Sequence, residues 1–202
     1  MTGAASQGDE TEAEAARRTI EEKGYGFWIY LVTDAIVFAL LVATFLLTSH
    51  DTADGPDGRT LFRLPPTFAE TLLLLASSMT FGFASSAIAT GQGRRAQIWL
   101  GVTFLLGLGF VVMEISELYG MALGGAGPWR SSFLSAFFTL VGTHGAHVSV
   151  GLVWVVLLTC EIGLRGLNPF VASRIHRLSL FWHFLVMVWI GIFSIVYLPW
   201  IL

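Results

Sequence analysis

Thiol chemistry is nearly absent from this chain: Cys160 is its one cysteine, so no internal disulfide can form, and its apolar helical context supplies no metal-binding spacing. Charge is almost as scarce. Lys, Arg, Asp and Glu make up 12% of 202 residues, about half the share of a soluble globular domain. A formal net charge of −3 leaves no basic footprint for nucleic acid. No internal repeat is evident, which weighs against transporter folds built from inverted copies. A signal peptide is also missing from the expected pattern. The opening MTGAASQGDETEAEAARRTIEEK is polar and mixed in charge, and the apolar run after it is too long and ends without a cleavage site. Residues 1–25 are therefore expected to stay as a polar tail.

Apolar residues are abundant, at 54%. A bilayer core of about 30 Å needs roughly 20 of them in a helix. Five segments reach that length, at about 26–48, 69–90, 97–118, 133–161 and 178–201. The expected fold is all-α, a polytopic bundle of five transmembrane helices forming one domain over 26–202. Polar or turn-rich stretches separate the spans: SHDTADGPDGRTLFRLPP, GQGRRA, GMALGGAGPWR and GLRGLNPFVASRIHR. The aspartates of the first, Asp51, Asp54 and Asp57, lack the alternation and closing glutamate of a calcium loop and read as a solvated turn. Arg17, Arg18, Lys23, Arg94, Arg95, Arg165, Arg174 and Arg177 all fall on one side of a five-span topology, against Arg59, Arg63 and Arg130 on the other. Positive charge accumulates inside, so the N-terminus is expected in the cytoplasm and the C-terminus in the periplasm.

Ionisable groups inside spans cost about 3 kcal/mol each at the bilayer centre on insertion scales and need a reason. Asp34 lies about 12 Å into the first span by helical rise. MEISEL places Glu114 and Glu117 three apart on one helical face, and THGAH does the same for His144 and His147. FWHF carries His183 near the start of the fifth span. The third and fourth spans are antiparallel neighbours, so Glu114 and His144 are expected at similar depth, where a hydrogen bond between them would satisfy both. Gly142, Ala146 and Ser149, with Gly145 beside them, offer the small-residue spacing that lets helices approach closely. Haem or metal ligation would need facing ligands at matched depth. His183 lies toward the other side of the membrane, and His50 and His176 belong to loops, so structural hydrogen bonding is the favoured reading and no cofactor or metal is assigned to this chain. Trp129, Trp182 and Trp200 sit near span ends and are expected as interfacial anchors; Trp154 and Trp189 are deeper and expected to pack.

Four stretches carry a family pattern: GFWIYLVTDAIVF (Gly26–Phe38), MEISELYG (Met113–Gly120), SAFFTLVGTHGAHVSVGLVW (Ser135–Trp154) and LSLFWHFLVMVWI (Leu178–Ile190). In order and spacing they resemble subunit III of the haem-copper respiratory oxidases, and within that family the five-helix subunit III of cytochrome bo-type ubiquinol oxidases. The resemblance implies a non-catalytic subunit of a proton-pumping terminal oxidase in the bacterial inner membrane. It would pack beside subunit I, with subunits II and IV in the same complex. It would support assembly, phospholipid retention and sustained proton uptake while subunit I, carrying two haems and copper, oxidises ubiquinol and reduces oxygen. Asp34 resembles the family's membrane carboxylate on this helix, and Glu114, Glu117, His144, His147, Trp182 and His183 match motif positions in kind. Val186 departs from the pattern, because relatives usually carry an aspartate there. The same fold in a cytochrome c oxidase or a nitric-oxide reductase, or an independent proton or metal carrier, are the competing readings.

Overall fold

The computed structural model describes the backbone of residues 3–53 and 55–201 and the side chains of residues 22–53 and 55–200. Among these residues all regular structure is helical. Helix α1 runs without a break over Gly3–Thr48, and a single turn, α2, spans Gly58–Leu61. Then come α3 (Leu64–Ala89), α4 (Gly93–Leu123), α5 (Ser132–Arg165) and α6 (Pro169–Ile192), the last continuing through a π-helical stretch, Phe193–Tyr197, into α7 (Leu198–Ile201). Five segments are long and apolar enough to cross a membrane: Glu22–Thr48, Leu64–Ala89, Gly93–Leu123, Ser132–Arg165 and Pro169–Trp200. The number of spans expected from the apolar runs stands.

Their ends differ from expectation where polar residues extend a helix past its apolar run. The fifth span starts at Pro169, not near residue 178, so Arg174 and Arg177 belong to helix and not to a loop. The connection is three residues long: Gly166, with φ of 69°, closes α5, and Asn168 caps α6 by accepting the Val171 N–H at 2.9 Å. Pro65 and Pro66, read as loop residues, stand in the first turn of α3, where a missing N–H is harmless. Ser131 caps α5 through the Leu134 N–H at 3.2 Å. The π-helical stretch ends before Pro199, which has no N–H for the Ile195 carbonyl and crowds it, so the coil widens there. Of the basic residues read as marking one side, Arg17 and Arg18 lie outside the described side chains.

Helices α5 and α6 form the centre, with the α3–α4 hairpin against one flank and α1 against the other. The tightest joint is built around Trp182. Expected as an interfacial anchor, it is 1% exposed instead, and its indole N–H donates to Ser77 Oγ on α3 at 3.1 Å. Its ring fits because two helices present no side chain to it. A Cβ at Gly107 on α4 would stand 2.9 Å from the ring, and one at Gly151 on α5 would stand 3.0 Å from it. Trp189, two turns further along the same face of α6, is buried as expected and donates to Thr71 Oγ1 at 3.0 Å. Trp200 is half-buried against Gly58 and Phe133, a packing residue more than an anchor, while Trp129 is 77% exposed.

Gly107→Val should therefore lower the thermal stability of the detergent-solubilised protein by about 1–3 kcal/mol, the usual cost of overpacking. Gly101→Ala, on the same helix with nothing within 4 Å of its Cβ position, should not. Equal melting temperatures for the two variants would exclude the Trp182 slot as a stability determinant.

Candidate functional site

Most of the ionisable residues deep inside the spans fall into two separate clusters, not one network. The first joins α1 to α5. His147 Nδ1 lies 2.8 Å from the Thr143 carbonyl, so that nitrogen carries the hydrogen and donates. The other nitrogen, Nε2, faces Asp34 Oδ2 at 3.4 Å. One further proton, on either atom, makes this contact an attraction. Both side chains are mostly buried, and the Phe38 ring sits edge-on to the His147 ring with centroids 5.3 Å apart. Asp34 therefore faces, across a helix interface, a residue that helical spacing alone could not select, although its Oδ2 has no hydrogen-bond partner.

His144 is fully buried and does not join that pair. Its Nε2–H donates to the Leu185 carbonyl of α6 at 3.2 Å, and its ring packs against Trp189 and Phe110 with centroids 5.1 and 5.6 Å away. The expected Glu114–His144 hydrogen bond is not formed: both Glu114 oxygens and His144 Nδ1 lack partners. The two residues share a depth but not a direction. Glu114 is turned onto the backbone of α5 at Gly145, where a Cβ would meet Oε2 at 2.5 Å and Oε1 at 2.9 Å. Gly145 thus admits a carboxyl group, not another helix backbone. Among the described residues, the rest of the small-residue stripe is not packed closely against another helix of this chain. Gly142 has nothing within 4 Å of its Cβ position, Ala146 is exposed, and Ser149 turns its hydroxyl back to the Gly145 carbonyl at 2.8 Å.

The second cluster is acidic. Glu114 and Glu117 of α4 lie within electrostatic reach of Glu70 of α3. Glu70 is 1% exposed, and neither of its oxygens has a hydrogen-bond partner. Sequence reading missed it, because residue 70 fell at the assumed border of the second span. The signal was there: a double proline just ahead of it in LPPTFAETLLLL starts the helix early and carries Glu70 inside. Glu70 and Glu117 line a cleft of about 710 Å³ between the α2–α3 segment and the C-terminal part of α4.

The fifth-span histidine stands apart from both clusters. His183 donates from Nδ1 to the Ser179 carbonyl at 2.7 Å, within its own helix, and packs edge-on against Phe81. Val186 is buried in the apolar core. Among the described residues no three His, Cys, Asp or Glu side chains converge as a metal site. At the far end of the bundle Arg174 of α6 grips Glu161 of α5 through two hydrogen bonds of 2.8 and 3.0 Å.

Gly145→Ala should destabilise the protein by about 1 kcal/mol or more, because the new methyl group displaces a buried carboxyl. In a Glu114→Ala background the same substitution should cost almost nothing. A thermal-unfolding double-mutant cycle with no coupling between the two positions would mean that Glu114 does not rest on Gly145.

A family model described as cytochrome c oxidase subunit III matches residues 5–201. The cytochrome bo(3) ubiquinol oxidase subunit 3 of Pseudomonas aeruginosa is 51% identical over 174 residues, covering 86% of this chain and 83% of that one. Its counterpart in Pseudomonas putida is 50% identical, over 86% and 84% of the two chains. The cytochrome c oxidase subunit 3 of Bacillus sp. PS3 is 42% identical, over 88% and 86%. With nearly its whole length matched, the chain belongs to the cytochrome c oxidase subunit III family of the haem-copper oxidases.

Proposed function

We propose that this chain is the non-catalytic subunit III of a proton-pumping ubiquinol oxidase of the cytochrome bo type. The likeness that carries the reading is to the Pseudomonas ubiquinol oxidase subunits, at about half of all aligned positions and over most of both chains. The likeness to a subunit named for cytochrome c oxidase is weaker. In this reading the chain lies in the bacterial inner membrane, residues 1–25 forming a cytoplasmic tail and 26–202 the membrane domain. The accumulation of Lys23, Arg94, Arg95, Arg165, Arg174 and Arg177 at one end of the bundle supports that orientation. Subunit I, with two haems and copper, is the principal partner, and subunits II and IV and phospholipids complete the assembly.

The side-chain chemistry agrees with a supporting role. Redox work needs ligands left free to hold iron or copper. Among the described residues no three His, Cys, Asp or Glu side chains converge, and the buried and half-buried histidines are each oriented by a backbone carbonyl: Leu185 for His144, Thr143 for His147 and Ser179 for His183. The Asp34–His147 pair is different, because it can hold one proton between two helices in either of two places. We assign it to sustaining proton uptake by the neighbouring catalytic subunit, and leave Glu70, Glu114 and Glu117, on the α3–α4 flank of the bundle, outside that path.

Gentle detergent extraction should bring this chain out with a larger haem-bearing subunit, and the preparation should oxidise ubiquinol; recovery of the chain alone, without haem, would refute the assignment. In that complex Asp34→Asn should leave the haem spectrum intact and the initial rate of oxygen consumption within about twofold, less than 0.5 kcal/mol of barrier. Activity should then decay faster over prolonged turnover. A lost haem spectrum in this variant would instead place Asp34 in cofactor binding.

A further inference from the structure

The acidic cleft is left over from this account. We propose that it binds the headgroup of a phospholipid bearing a primary amine, the ammonium held by Glu70 and Glu117 and the phosphate by Arg63. From the functional reading above it needs only the membrane location.

Three features of the cleft converge on that chemistry. Glu70 lines it, is 1% exposed, and receives no hydrogen bond from any described group. A buried carboxyl group in that condition is costly, and native proteins rarely leave one so. A primary ammonium brings three N–H donors, enough to serve Glu70 and Glu117 together. Arg63 lines the same cleft and makes no ion pair among the described residues. A guanidinium free of carboxylates suits a phosphate, which it can grip with two parallel hydrogen bonds. A ligand that answers both charges at once is a zwitterion.

The remaining walls say what the zwitterion is attached to. Leu61, Val112, Met113 and Met121 are apolar, and Val112 is exposed on the outside of the bundle, so the cleft continues onto the surface that meets acyl chains. Its volume of about 710 Å³ fits a headgroup. Other headgroups fit less well. A quaternary ammonium has no N–H to donate to Glu70, and an anionic headgroup without an amine would meet carboxyl groups. A bare metal ion would need converging ligands, and Glu70, Glu114 and Glu117 do not converge in that way.

The test uses the intact complex, stripped of loosely held lipid and reconstituted into nanodiscs of phosphatidylethanolamine, phosphatidylcholine and phosphatidylglycerol in equal parts. Native mass spectrometry then counts the lipids that remain. The wild-type complex should keep one phosphatidylethanolamine that Glu117→Gln and Arg63→Gln complexes lose, with the other two lipids unchanged. Glu70→Gln should do the same; if it fails to assemble, the two rim variants still decide. Identical lipid counts in wild type and variants would overturn the proposal, as would phosphatidylcholine or phosphatidylglycerol as the molecule lost. Release of the lipid by soluble phosphoethanolamine would show a small-amine site, and release by calcium a cation site; either result would also overturn it. Association with the haem-bearing subunit is scored separately. Should that fail, the functional reading falls, and the same lipid count on the chain alone in nanodiscs decides this one.

Discussion

A hydrogen bond from one helix to a neighbour's carbonyl or hydroxyl, made where no water competes, is the interaction on which this bundle depends. Apolar surface cannot hold the helices together in lipid, since acyl chains are as apolar as leucine. What distinguishes one packing from another is where polar groups find partners. Trp182 to Ser77 and Trp189 to Thr71 tie α6 to α3, and Thr80 to Thr103 ties α3 to α4. Gln97 to the Thr159 carbonyl ties α4 to α5, and His144 to the Leu185 carbonyl ties α5 to α6. Each link crosses between spans that must each supply one half of the pair. Glycine then sets how close those spans come: without the bare faces of Gly107 and Gly151, the Trp182 ring could not sit where its N–H meets Ser77.

This division of labour explains what the sequence disclosed. The number of spans was legible because hydropathy is summed over some twenty residues, and single exceptions do not change the sum. Ends were less legible. Arg174 and Arg177 look like loop residues by charge, yet a helix end near the membrane surface tolerates long basic side chains whose heads reach water or an acid such as Glu161. Pro65 and Pro66 have two physical meanings, turn or first helical turn, and composition does not choose between them.

The site was legible in its inventory and not in its wiring. Asp34, Glu114, Glu117, His144, His147 and His183 were all identifiable, because an ionisable residue inside an apolar run is conspicuous. Depth along each helix follows from counting residues, and Glu114 does meet α5 beside His144, at Gly145. Rotation about the helix axis relative to a neighbour does not follow from counting. That angle turns His144 toward Leu185 and Glu114 toward Gly145. The same blindness made Trp182 look like an anchor: an indole near a span end is interfacial if it faces out and structural if it faces in.

Two ways of managing buried polarity therefore coexist in one small bundle. At the α1–α5 and α5–α6 interfaces the histidines are held within the chain, His147 by Thr143 beside Asp34 and His144 by Leu185, although Asp34 Oδ2 and His144 Nδ1 have no hydrogen-bond partner. In the α3–α4 hairpin, Glu70 and Glu114 are buried as deeply but no described group answers their oxygens. Stability alone does not account for such an arrangement, since an apolar residue of similar volume would serve packing better. Satisfied groups hold the fold; an unsatisfied one in a lined cleft, as Glu70 is, marks where a second molecule gains most by binding. For a subunit that holds no redox centre in this reading, interactions of that kind, with lipid and with neighbouring subunits, are what its intramembrane charges are left to perform.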